Sequence, residues 1–367
     1  MRKTAVLLAL LCAAHAAAGE QVGDVTRDYE LVKVADGIHA FIAPEPLTGV
    51  VNGNSTVIIG DNGVVIVDTG QFPTLAARQI AEIRKLTDKP VRAIINTHWH
   101  WDHNLGNAAY RDAFPAASII STPFTREFIA TYTPEFLQRM TGQGDKLIEQ
   151  LSAQLKSGKR RDGTDLDAAQ RANLGHLLRD LEHGIPELKK VKLDPPDLTF
   201  DREMTIRLGK REVRVFHPGH ANTAGDAIVW VPDAKVLVTG DLVVQPTPYA
   251  TNAYPAEWIV AMEKIRSFDA AAIVPGHGPV QRDWKYVDSV TETLRFVVAQ
   301  AAAAVRDGLT IDEAKARIDL EPYRRRFAGD DAIRRKAFDE YFASSIVASA
   351  YRQAKGEVVD EAPFPPG

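Results

Sequence analysis

Residues 96 to 107 read NTHWHWDHNLGN, which places His98, His100, Asp102 and His103 within six positions. Crowding imidazoles and a carboxylate is costly unless a charge partner holds them. In an extended segment residues two apart share a face, so His98 and His100 can reach one ion. Asp102 and His103 follow at a bend and can turn toward a second ion. A zinc ion takes three or four N or O ligands at about 2.0–2.2 Å. Four such local candidates do not close one tetrahedron comfortably, so further ligands must come from elsewhere. The sequence offers them at strand ends. HPGHANTAGD supplies His220, with His217 as a rival, VLVTGD supplies Asp241, and IVPGHG supplies His277 between two glycines. Aspartate after a strand is also common turn chemistry, so Asp241 alone would decide nothing. His39, His176 and His183 read as ordinary surface or core histidines, and His217 as a structural or supporting residue.

The elements that must position these residues are legible from their patterns. Ser55–Ile59 and Val64–Val67 are β-branched runs joined by GDNG, a hairpin signal. Pro73 opens a helix that Lys89-Pro90 closes, and VRAIINT is a buried strand that leads straight into the histidine motif. Residues 122 to about 195 read as helical, with Leu174, Leu177, Leu178 and Leu181 forming one apolar stripe. Strands return at EVRVFH, AIVWV, KVLVTGD and AAIVPGHG. A helical tail follows, with Thr310 and Glu313 as a capping box. A single long helix is expected over 330–355, ended by Gly356, and EAPFPPG is expected to be disordered. Two β-rich blocks with helices behind each imply two αβ halves packed sheet against sheet.

The chain has 367 residues, 45% hydrophobic and 25% charged, with a net charge of -4. No basic excess suggests a nucleic-acid surface. MRKTAVLLALLCAAHAAAGE has the layout of a secretory signal cut after Ala18, and its apolar run is too short to span a bilayer. The lone cysteine, Cys12, lies inside that signal, and Leu11 before it speaks against a lipidated cysteine. The mature chain then has neither a disulfide nor a thiolate ligand, and no later stretch is apolar enough to cross a membrane. The expected organisation is a signal peptide over 1–18 and a catalytic domain over 19–284 carrying the helical insertion at about 122–195. A helical extension over 285–367 follows. The expected location is exported, periplasmic or secreted.

THWHWDHNLGN, PGHANTAGD, TGD and PGHG, in that order, closely resemble the motifs of the metallo-β-lactamase superfamily, and VVIVDTG resembles its first motif. The resemblance spans roughly residues 30 to 284 and omits the insertion and the tail. It implies an α/β fold, an αββα sandwich with metals at one sheet edge. It implies that His98, His100 and His220 bind a first zinc, that Asp102, His103 and His277 bind a second, and that Asp241 bridges the two. Asp68 would steady the ligands from behind. Family β-lactamases carry cysteine or serine where Asp241 stands. Aspartate there is more like the lactonases, the glyoxalase-II thioesterases and other general hydrolases. The diiron oxygen reductases of the superfamily carry an acidic residue in place of His100. The nuclease branches fit poorly with an exported, acidic chain.

The resulting expectation is an exported hydrolase with two zinc ions per chain. It would attack an amide, ester or thioester carbonyl, β-lactam- or lactone-like, of a small-molecule substrate with a hydroxide that the ions supply. Asp102 would orient that nucleophile. The loop after Asp241 offers Tyr249, Asn252 and Tyr254 as substrate contacts, while Trp99 and Trp101 could line the pocket or simply pack. A mononuclear iron dioxygenase of the same fold is one alternative, and the complete set of second-site candidates speaks against it. A non-catalytic exported metal-binding protein is another, and the lack of a surplus metal-binding tract speaks against that.

Overall fold

The computed structural model describes residues 23–359 except 46–49 and 252. The expected signal segment, Asn252 and the EAPFPPG tail lie outside the described residues. The first sheet has seven strands in sequence order. These are β1 (Glu30–Ala35), β2 (Ile38–Ile42), β3 (Ser55–Ile59), β4 (Val64–Val67), β5 (Val91–Ile95), β6 (Ser118–Ser121) and β7 (Leu198–Thr199). β1 to β4 form an antiparallel meander, and β4 to β7 run parallel. Parallel neighbours need crossovers. Here α1 (Pro73–Leu86) and α2 (Asn107–Ala113) provide the first two. The helical insertion is the third crossover, between β6 and β7: α3 (Pro123–Ser157) and α4 (Ala168–Leu188), an antiparallel pair.

The second sheet has the order β12-β11-β10-β9-β8. Its strands are β8 (Glu203–Leu208), β9 (Arg211–Phe216), β10 (Ile228–Val231), β11 (Val236–Val244) and β12 (Ala272–His277). Only β11 and β12 pair in parallel, joined through α5 (Pro255–Arg266). The sheets meet face to face. Val65, Val67 and Ile95 of the first share one buried cluster with Val215, Val229 and Val238 of the second. Alternate side chains point outward: Val64 and Ile66 pack with Ile80 and Ile83 of α1. A strand buried on both faces reads as a continuous apolar run, which is why VVIV carries no polar alternation.

On the far side of the second sheet lie α5, α6 (Lys285–Arg306), α7 (Ile311–Arg317), α8 (Glu321–Ala328), α9 (Ala332–Phe338) and α10 (Ser344–Ala354). The Thr310–Glu313 capping box forms at α7. The single helix expected over 330–355 is instead interrupted by a π-helical turn, Asp339–Ala343. At that turn the Tyr341 carbonyl accepts from the Ala250 N–H at 2.8 Å. The Ser345 hydroxyl donates to the Ala250 carbonyl at 2.9 Å. The tail is thereby fastened to the loop that follows β11. No helix among the described residues is long and apolar enough to cross a membrane.

Candidate metal centre

The chemistry-bearing residues collect at one edge of the two sheets. Asp68 follows β4, the histidine motif follows β5, and His277 closes β12, whereas Asp241, expected at a strand end, lies inside β11 with three strand residues after it. After β5 the chain bends into a 3-10 turn, Trp101–His103, which keeps the His103 ring 4.4 Å from that of His98. The sheet edges are sewn together across the site. The Asn54 N–H donates to the Gly276 carbonyl at 2.7 Å, and its side-chain amide donates to the carbonyls of Pro275 and Gly278 at 2.9 Å. Two glycines make room for the ligands. A Cβ at Gly276 would stand 1.9 Å from Asp241 Oδ1, and one at Gly53 would stand 2.4 Å from the His103 ring.

Two groups of donor atoms result: His98, His100 and Asp241, and Asp102, His103 and His277. In the first, Asp241 Oδ2 stands 3.5 Å from His98 Nε2 and 3.8 Å from His100 Nδ1. In the second, Asp102 Oδ2 stands 3.4 Å from His103 Nε2 and 3.0 Å from His277 Nε2. The two imidazole nitrogens are 3.2 Å apart. Asp241 Oδ1 joins them at 3.2 and 3.5 Å. Ligand atoms arranged tetrahedrally about zinc are roughly 3.4 Å apart, given bonds of about 2.1 Å. Five of the six edges around the second group lie between 3.0 and 3.5 Å. His98 Nε2 and Asp241 Oδ1 are moreover buried without a hydrogen bond. Such orphaned atoms are rare in a protein interior. A dication satisfies both, so the residues fit a pair of metal ions.

Asp68 sits behind both groups. It is buried, in the left-handed region at φ 59°, an uncommon conformation that aspartate tolerates better than most residues. Its Oδ1 accepts from the Thr97 N–H at 2.8 Å. Its Oδ2 accepts from the Thr97 hydroxyl at 2.8 Å and lies 2.9 Å from His103 Nδ1. The Thr97 oxygen lies 2.9 Å from His98 Nδ1. One carboxylate thus fixes His103 directly and His98 through Thr97, leaving both Nε2 atoms to face the site. Thr97 stands inside NTHWH, beside the residues the motif singles out, but nothing in its type announces the relay.

Electrostatics separates the two groups. Burial pushes His98 down to about 4, against the partial opposition of Asp241. Burial also works against protonated His103, but Asp102, Asp241 and Asp68 outweigh it and hold the imidazole well above its ordinary value. His277 rises to about 9, its burial likewise overcome by Asp241 and Asp102. Burial raises the carboxyls of Asp102 and Asp241, yet the facing histidines prevail and hold both below the usual range.

His220 belongs to neither group: it is exposed on the bend after Gly219, with its ring 4.8 Å from Tyr254 and 6.3 Å from His217. His217 Nδ1 donates to the Asp226 carbonyl at 2.7 Å. Tyr249 lies 5.4 Å from His100, ring to ring, and burial raises its phenol. Trp99 and Trp101 pack on α3, Trp99 against Phe128 at 5.2 Å and Trp101 stacked on Phe136 at 3.4 Å. Phe124, Phe128 and Tyr132 continue that aromatic row along α3. Their spacing of four places them on one helix face, a signal the sequence carried and its reading passed over.

The model of the metallo-beta-lactamase superfamily matches residues 48–277. A linear primary-alkylsulfatase from Pseudomonas sp. is 26% identical over 324 residues, 84% of this chain; the chain spans 58% of that protein's length. A type 2 metallo-beta-lactamase from Elizabethkingia meningoseptica is 25% identical over 197 residues, covering 52% of this chain and 74% of that one. Among solved structures, a metallo-beta-lactamase from Pontibacter korlensis superposes with a TM-score of 0.51 at 18% identity, over 73% of this chain and 99% of its own. That likeness speaks for the fold.

Proposed function

The chain belongs to the metallo-beta-lactamase superfamily, and from that premise we propose that it is an exported hydrolase working with two zinc ions. The observation that carries this reading is the division of one carboxylate between two donor groups, Asp241 Oδ2 facing His98 and His100 while Oδ1 faces His103 and His277. Zinc held there lowers the pKa of a water toward about 7 and polarises an acceptor oxygen of the substrate. The chain's own residues do the rest. His98, kept neutral by burial, offers its lone pair without first losing a proton. Asp102, ionised and beside His103 and His277, is placed to accept a hydrogen bond from the attacking water and to orient it. Asp68 and Thr97 keep the imidazoles from turning. His220, on the Gly219 bend, is the residue we assign to complete the shell of His98 and His100.

The substrate class is an amide, ester or thioester carbonyl. A second reading, a sulfate ester, is favoured by the likeness to the alkylsulfatase, which reaches well beyond the region the family model matches. The deciding experiment is metal analysis of protein purified without chelator, followed by a hydrolysis panel of β-lactam, lactone, thioester and linear alkyl sulfate. We expect about two zinc ions per chain and turnover that chelation abolishes and zinc restores. One tightly held iron and no zinc would overturn the dinuclear reading. Export is checked by sequencing the N-terminus of the mature protein, which should begin at Gly19.

A further inference from the structure

A cavity of about 170 Å³ opens beside Asp102. Trp101, Phe136 and Met140 wall it on one side, and Leu181 and Ile185 of α4 on the other. Phe136, Leu181 and Ile185 are buried, so these walls are the same apolar seam that holds α3 against α4. Protein interiors leave few voids larger than a water molecule, because lining atoms then lose contacts. An apolar cavity of about 150 Å³ stays dry and accepts a six-carbon ring. The cavity here is of that size and mostly apolar, with Gln71 and Asp102 as its polar lining, and Asp102 also belongs to the second donor group.

We infer that the α3–α4 pair builds a pocket for the apolar tail of the substrate, on the Asp102 side of the centre. This rests on the hydrolase reading for the word substrate, but the pocket itself does not. The bond to be cleaved then lies at the metal centre, and a hydrocarbon group of about six carbons, chain or ring, extends between the helices. The crossover between β6 and β7 is, on this view, the element that selects the substrate.

The test titrates straight-chain primary alcohols, from ethanol to decanol, into the zinc-loaded full chain by calorimetry. Affinity should rise about fourfold per methylene, as each buries apolar surface, and level off near six carbons. Met140→Trp, which fills the cavity from its partly exposed wall, should flatten that rise while metal content stays at the parent value. The parent series needs no variant, so the inference remains testable if Met140→Trp does not fold. Affinity independent of chain length in the parent, or a parent-like rise in a folded Met140→Trp, overturns the pocket. If the rise is present and no β-lactam, lactone, thioester or alkyl sulfate is hydrolysed, the pocket stands and the proposed reaction falls.

Discussion

The two donor groups share Asp241 and differ in what lies behind their histidines. His98 is backed by a neutral hydroxyl, that of Thr97, whereas His103 is backed by the carboxylate of Asp68. His277 faces Asp102 and Asp241 together. In the first group burial wins, and His98 is a neutral base. In the second, carboxylates win: His277 rises to about 9, and His103 is pushed well above its ordinary value. His98 is therefore ready for a cation as it stands, while His277 must exchange a proton for one. Two donor groups that share one carboxylate thus differ in the protons they hold, with no difference in the kinds of ligand they offer.

The strongest way to break this asymmetry is at the shared carboxylate. Asp241→Asn keeps the size but removes the charge that balances two dications. Affinity at the second group should fall more than about 100-fold, beyond what losing an outer partner does. The first ion should remain, bound by histidines, and activity should fall with the second ion and return in part with excess zinc. Elemental analysis beside a zinc-dependence curve checks this. A variant that binds two ions as tightly as the parent and turns over at its rate would leave Asp241 a turn residue.

The next effect sharpens the first group. His220→Ala should cost the first ion about 100-fold in affinity and nearly all turnover, since a direct ligand counts for at least as much as its supports. His217→Ala, whose ring is occupied with the Asp226 carbonyl, should keep most of both. The reverse pattern would move the ligand to His217, and two parent-like variants would close the first group without either. Smaller again is Asp68→Ala, expected to lower affinity at both groups by about 10–100-fold because it frees His103 directly and His98 through Thr97. A loss confined to the second ion would show that the Thr97 relay carries nothing.

Much of the centre was legible because its ligands obey local rules. Spacings of two along an extended segment put His98 and His100 on one face, and β-branched runs marked the strands that lead to Asp68, Asp241 and His277, although β11 runs on three residues past Asp241. The sandwich followed from two β-rich blocks with helices behind each. What stayed hidden depends on partners distant in sequence. The insertion could not be seen as a crossover because β7 is two residues long, below any strand signal. The π turn answers to Ala250, about ninety positions away from Tyr341, and periodicity alone continues the helix through it. The place of His220 turns on the Gly219 bend rather than on the spacing of its motif. Neither the division of Asp241's two oxygens nor the reach of Asp68 through Thr97 has any signature in residue type.

The smallest effect is the most direct measure of the asymmetry, because it counts protons. A histidine must be neutral to ligate. At pH 7.5 His277, raised to about 9, is protonated in the chelated protein, and the carboxylates push His103 the same way, whereas His98 at about 4 is neutral. Filling the second group should therefore release at least the proton of His277, and His98 should add none on filling the first. Calorimetric titration of zinc in buffers of different ionisation enthalpy separates the two events. The same shifts set the stability of the chelated protein. His277 binds its proton more tightly folded than unfolded, so its contribution, on the order of 3 kcal/mol, is fully present below about 6.5 and is lost as pH rises through 9. His98 is shifted the other way, so its contribution is present above about 6.5 and is lost as pH falls toward 4. The melting temperature with chelator should peak near pH 6.5 and decline on both sides, and zinc should remove the alkaline decline by standing where the protons stood. Equal proton release for the two ions, or an alkaline limb unchanged by zinc, would mean that the carboxylates do not hold His277 charged and that the two groups are alike.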